Sequence, residues 1–513
     1  MLFILRRVLY CTLLPLLLAC GNCSYAATPA DDPARVFSVA ELQQDFRQLY
    51  QDLQRGSFDL FAHMPQARFE QSFKQYLAEI NQPMTALQAQ KHFMQFVALA
   101  NIAHTRIDFP VAQYRAFITA GGKTLPFSFR INGDEVVVAA YYGADKRVQP
   151  DQQVLSINGI AVRQFLQPLQ GYLAADNAAL LDGLTGGQLA PLLWLHHGEQ
   201  SAYTLTLQQP GSAAPYQLRQ ATLSQDEQAQ HIAANNPPDS AASSEPRQYR
   251  ILSGNIGYLQ PGPFYNVYAT TDAEVWDTSE FHAFIDQAFT DFVAKGVSAI
   301  IIDLRDNPGG TNSFSDHMLA WFADKPFRFA SDFRVKVSDL SRAANRARMP
   351  ANGPADAITQ QLEQFYASHQ QGDVISFPLD NSKPHDKPRN IAGSDIKVLL
   401  LINRYSYSNA VSVAAIAQDY NFATVIGEST ADLATTYGAM ESFTLQHTGI
   451  RVGYPKALII RPNGDAKPAG VTPDVILPLA ADDDAALQQV VDYIAENYQP
   501  TAGGADAENN TMQ

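Results

Sequence analysis

The 513-residue chain predicts a multi-domain α/β protein. Three observations carry this expectation: a helical periodicity near the N-terminus, short β-type runs from about Leu125, and apolar strands alternating with helical faces beyond residue 249. At roughly 100–200 residues per domain, about three domains are expected.

Residues 1–26 read as an export signal, with Arg6 and Arg7 followed by an apolar run from Val8 to Leu18 and then small residues. Leu17-Leu18-Ala19-Cys20 resembles a lipobox in which Cys20 is lipidated, whereas Ser24-Tyr25-Ala26 fits ordinary signal peptidase, so two processing sites stay open. Either one places the protein in the cell envelope, as a periplasmic protein or as an outer-membrane lipoprotein attached through Cys20. All three cysteines (Cys11, Cys20, Cys23) lie in this leader, so the body excludes disulfides, a thiol nucleophile and a cysteine-based metal site. Removing a leader that carries Arg6 and Arg7 takes the formal charge from −15 to −17, which argues against nucleic acid as a partner.

Residues 27–115 are expected to form a helical N-terminal domain, because Leu42, Phe46, Leu49, Tyr50 and Leu53 recur at three- and four-residue steps. Residues 116–232 read as a small β-rich module, with runs Phe127–Ile131 and Glu135–Tyr141 and turns at Gly133 and Gly143. Inside it, Val154–Val162 spells strand, Asn-Gly turn, strand. Residues 233–248 are rich in Pro, Ser and Asn, as a linker is. In residues 249–498, Phe281 to Val293 makes a helical face ended by Gly296, and Val297–Leu304 and Ile396–Ile402 are apolar strands. A small-residue helix from about Asn409 and a strand Phe422–Ile426 follow, and residues 499–513 form a polar tail.

Two segments carry chemistry. Asn307-Pro308-Gly309-Gly310 closes an apolar strand with backbone amides that no Cβ covers, suited to holding an oxyanion and equally suited to a plain tight turn. Ser408 stands where an apolar strand meets a helix N-terminus, which suits a nucleophile and also a simple helix cap.

Together these segments resemble a known family. Ile301–Gly310, Asn255–Leu259, Leu400–Ser412, Gln418–Glu428 and Ala469–Val475 follow in order the motifs of the tail-specific (carboxyl-terminal processing) serine proteases. The resemblance implies a crotonase-like α/β protease core, a PDZ-like character for residues 116–232, and acyl transfer from peptide or protein substrates without metal or organic cofactor. It places the nucleophile at Ser408 and the oxyanion donors at Gly309, Gly310 and Asn409. The catalytic lysine of many members falls here on Leu433, while Asn101–Arg106 resembles the histidine segment of the tricorn-like branch, so His104 is the implied base. Glu441 is the expected orienting carboxylate, with Glu428 as alternative; Lys467 is a less favoured base. A non-catalytic binding protein on the same fold and an esterase are the rival readings, although no G-x-S-x-G elbow is present. Metal-dependent hydrolysis is disfavoured because no H-E-x-x-H occurs.

Overall fold

The computed structural model describes residues 35–212, 214–235, 245–349, 357–480 and 483–498. The expected leader with Cys20, residues 236–244 of the expected linker and the tail from 499 lie outside the described residues. No helix of the described residues is long and apolar enough to cross a membrane.

The N-terminal periodicity is realised as α1 (Val39–Gly56), followed by α2 (Gln66–Glu79) and α3 (Ala86–Ala98). Ser38 and Glu41 start α1 with a reciprocal capping box, and Leu42, Phe46, Leu49 and Leu53 are fully buried. The short strands β1 (Val36–Phe37) and β2 (Met84–Thr85) pair antiparallel beside these helices. After α3 the chain turns through residues 101–105 into β3 (Arg106–Ile107) and then α4 (Val111–Thr119).

The next sheet runs β4 (Phe127–Asn132), β5 (Glu135–Tyr141), β6 (Gln153–Ile157), β8 (Ala202–Gln208) and β9 (Tyr216–Ala221), with β7 (Ile160–Ala161) paired to β6. The Asn158-Gly159 hairpin forms where expected, both residues taking the positive φ (51° and 77°) that this turn demands. This region is less purely β than its sequence pattern suggests. Three short helices, α5 (Val162–Gln170), α6 (Ala178–Gly187) and α7 (Leu189–His197), lie between β7 and β8, and α8 (Gln225–Asn235) follows β9. α5 does carry Val162, Phe165, Leu166 and Leu169 at helical spacing, in a stretch that directly follows the Asn-Gly hairpin, whereas α6 is announced only by its Asn177 cap, which accepts from the Leu180 amide.

The remaining chain builds two sheets. The first has the order β10 (Gln248–Leu252), β11 (Ile256–Gln260), β12 (Ala299–Asp303), β15 (Lys397–Ile402), β16 (Thr424–Gly427), β19 (Val475–Ile476). All neighbours are parallel except the β10–β11 pair. Ile300, Ile302, Leu400 and Ile402 pack on one face beneath α9 (Ser279–Lys295), α10 (Asn312–Leu319) and α13 (Asn409–Asp419). Ile301, Leu399 and Leu401 pack on the other beneath α14 (Asp483–Asn497). Burial on both faces explains why these strands read as unbroken apolar runs. The second sheet runs β14 (Val374–Ser376), β13 (Asp332–Lys336), β18 (Arg451–Ile460), β17 (Thr436–Thr444), with α11 (Asp339–Ala347) and α12 (Ala357–Ala367) beside it.

The N-terminal region is fastened to this second sheet. β3 pairs with β18 through Ile107–Val452 and Arg106–Gly453, and one hydrophobic core joins α1–α3, the β4–β9 sheet and residues Phe443 to Tyr454, running through the expected 115/116 boundary. At the seam the buried Asp45 carboxylate accepts from the His447 and Thr448 amides (3.0 and 2.7 Å) and the Thr448 hydroxyl (2.7 Å). Asp45→Ala strands these buried donors and is expected to lower stability by about 3 kcal/mol, read as a fall in the urea midpoint with an unchanged m-value.

Candidate active site

Two loops leave the carboxyl ends of the adjacent parallel strands β12 and β15, where an open α/β sheet concentrates its ligand contacts. The first carries Asn307 to Thr311 and the second Asn403 to Ser408. They are sewn together by Tyr407 N–H donating to Asn307 O (2.9 Å).

Ser408 has φ 54° and ψ −121°, a backbone conformation that L-residues rarely adopt. It is also the residue before α13, yet its side chain makes no cap hydrogen bond. A capping serine has extended backbone angles and its Oγ on an N–H of the first turn, so the cap reading does not describe Ser408. Holding such a conformation costs about 1–3 kcal/mol and persists only where the surroundings impose it. Here the Ser408 N–H donates to the buried Asp432 carboxyl (2.5 Å), which holds the backbone in this conformation. The neighbouring Ser406 is fully buried, with its hydroxyl donating to Leu304 O (2.7 Å) and accepting from Asn403 N–H (3.1 Å).

The glycine loop presses directly on this serine. A Cβ on Gly309 would stand 2.6 Å from Asn409 N, 2.6 Å from Tyr407 O and 2.8 Å from Ser408 Cβ. One on Gly310 would stand 2.1 Å from Phe264 O, because Phe264 and Gly310 face each other in an isolated parallel bridge. The Gly309 amide, expected as an oxyanion donor, is instead spent locally on Asn307 Oδ1 (2.9 Å). The Gly310 amide has no partner among the described residues, and the Asn409 amide opens α13, where first-turn N–H groups lack intrahelical acceptors. The Asn409 side chain donates to Ser315 Oγ on α10 (2.8 Å), which holds the helix start against the glycine loop.

His104 arrives from the other end of the chain. The β3–β18 pairing begins two residues after it, and its ring stacks on Tyr407 at 6.1 Å between centroids. Ala103, Tyr407 and Ala431, the sequence neighbours of His104, Ser408 and Asp432, pack in one small apolar cluster. The His104 Nδ1 is buried with no hydrogen-bond partner among the described residues. Burial lowers the His104 pKa to about 4; Arg106 also lowers it, while the Asp176 charge and the Tyr437 backbone oppose the shift.

The carboxylates need reassignment. Glu441 is buried in a cation pair, accepting from Arg348 (2.7 and 2.8 Å) and from Lys456 (2.6 Å), so its lone pairs are committed there and not to His104. Glu428 pairs with Arg404 at 3.2 Å. The carboxylate acting on His104 is Asp176, which accepts from the Ala103 amide (3.1 Å) and lies 3.5 Å from His63 Nε2. Asn177, beside it, donates to Ala431 O (2.8 Å) and so ties this turn to the Asp432 loop. Burial raises the pKa of Asp432 to about 7. Asp176, Asp432 and His63 were not singled out from the sequence, where nothing but their later proximity distinguishes them. Leu433 is buried at the position of the absent lysine, and Lys467 is exposed on a turn.

A positive-φ serine at a strand-to-helix junction, a buried imidazole nearby whose Nδ1 has no partner among the described residues, and uncovered backbone amides are the kinds of group that a serine hydrolase uses. Residues 255–477 match the model of peptidase family S41. The structure is similar to mature CPAF (TM-score 0.59, 16% identity, covering 89% of this chain and 96% of that one) and to mature CPAF complexed with lactacystin (0.59, 16%, 89% and 97%). It is also similar to the photosystem II D1 C-terminal processing protease (0.45, 16%, 87% and 96%). No curated protein matches by sequence. The S41 match therefore spans the segment that carries both strand-end loops, Ser408 among them, and the fold around it is similar to that of CPAF.

Gly309→Ala is expected to cut kcat by at least ~10²-fold, since the added methyl displaces the Ser408–Asn409 backbone that carries the donors. Glu441→Ala is expected to leave Lys456 buried and unpaired and to destabilise the fold by about 3–5 kcal/mol, read by urea unfolding.

Proposed function

We propose that the protein is an exported peptidase of the cell envelope that works through a Ser408–His104 acyl-enzyme mechanism. The observation that carries this reading is the strained, uncapped backbone of Ser408, which exposes its Oγ beside the uncovered amides at the head of α13. His104 takes the hydroxyl proton as Oγ attacks the scissile carbonyl. The Gly310 and Asn409 amides receive the developing oxyanion, and the Asp176 charge stabilises the imidazolium that forms. His104 then returns the proton to the leaving amine, and water attacks the acyl enzyme with the same imidazole as base.

A fluorophosphonate probe tests the reading without a known substrate. Labelling of the signal-free protein is expected, with loss in both Ser408→Ala and His104→Ala. Absence of labelling in the wild type sinks the mechanism and favours a binding protein on this fold.

The base must be neutral, and its pKa lies near 4 where free histidine has about 6.5. The acid limb of kcat/KM is therefore expected close to pH 4 and not at 6.5. Asp176→Asn removes the charge that raises this pKa, so the limb moves further to the acid side while kcat falls. An unchanged limb in Asp176→Asn removes Asp176 from the mechanism.

A further inference from the structure

Away from Ser408, the helical layer over the parallel sheet carries a second cluster of chemistry-bearing side chains. Asp286 lies on α9, His317 on α10 and His385 in the segment between β14 and β15. Each offers one ligand atom, and these atoms all lie within 4.8 Å of one another. We propose that Asp286, His317 and His385 form a binding site for a divalent transition-metal ion of the zinc type, distinct from the peptidase centre.

Three observations support it. Two imidazoles and a carboxylate suit a borderline ion such as Zn²⁺, and three protein ligands leave a fourth position for water. The rings are held in place: His317 stacks on His282 at 3.9 Å and meets the edge of His385 at 4.6 Å. The site also draws positive charge. The half-exposed Arg389 guanidinium sits on both Asp286 oxygens (2.8 and 2.7 Å), of which Oδ1 also bonds His317 Nε2 (2.8 Å) and accepts from Trp321 Nε1 (2.9 Å). Arg389 stands where a metal would bind the carboxylate, so an incoming ion must displace it. His317 and Ser315, which accepts from Asn409, are two residues apart on α10 and thus on opposite sides of the helix, which keeps the two sites chemically separate.

The ligands come from segments separated by about thirty and about seventy residues, so no spacing motif announces them. An ion there would staple α9, α10 and the 385 segment together, and binding to the folded state alone raises its stability.

The test uses the metal-free, signal-free full chain. Calorimetric titration with Zn²⁺ is expected to show one ion per chain at micromolar concentration, and Co²⁺ to give the intense visible bands of a tetrahedral site. His317→Ala and His385→Ala should each weaken binding by at least ~10-fold and abolish the Zn²⁺-dependent rise in Tm. Arg389→Ala should bind more tightly, because Asp286 is released. Ser408→Ala should bind like the wild type, and apo circular dichroism of each variant shows that it is folded. Failure of the wild type to bind stoichiometrically, or equal affinity in the folded His317→Ala and His385→Ala variants, overturns the proposal.

Discussion

The hydrogen bond from the Ser408 amide to the Asp432 carboxylate is the constraint on which the candidate site depends. It holds a non-glycine residue in a conformation that costs about 1–3 kcal/mol, at the junction of a buried strand and a helix. Around that point every neighbour is sterically determined. Gly309 has room for no side chain because Ser408 and Asn409 occupy it, and Gly310 has none because Phe264 does. The strain is thus distributed over two loops that neither strand could hold alone, and the parallel β12–β15 register brings those loops side by side.

The second requirement is delivery of His104 across some three hundred residues of chain. Main-chain pairing of β3 with β18 does most of this, and the Asp45 seam and the shared core of the N-terminal helices with residues 443–454 make the attachment rigid. The imidazole is consequently as well fixed as Ser408, although it belongs to a different part of the molecule. Burial that fixes the ring also keeps it neutral, which is the state a general base needs.

Much of the core was legible because its physics is local. A strand buried on both faces reads as Ala299–Asp303 does, a helix ended by a left-handed glycine reads as Phe281–Gly296 does, and the Asn158-Gly159 hairpin follows from its turn residues. Of the helices between Val162 and His197, α5 shows helical spacing over only two turns, and α6 and α7 are apolar on most sides, so no single buried stripe marks them. Glu441 reads as the orienting carboxylate by its place in the sequence, but its partners Arg348 and Lys456 lie far from it in the chain. The Gly309 amide reads from the sequence as an available donor, but Asn307 Oδ1, two residues earlier, accepts from it.

The sequence by itself determined the strand and helix types, the position of the glycine loop and the serine at a strand-to-helix junction, because these rest on periodicity, turn chemistry and backbone permissiveness within a few residues. Only the tertiary structure decided which carboxylates serve the site. Asp176 and Asp432 stand far apart in the chain and meet through the Asn177–Ala431 bond, and the Asp286–His317–His385 cluster is assembled in the same non-local way. Electrostatic partnership falls off with distance in space, and sequence separation does not measure that distance.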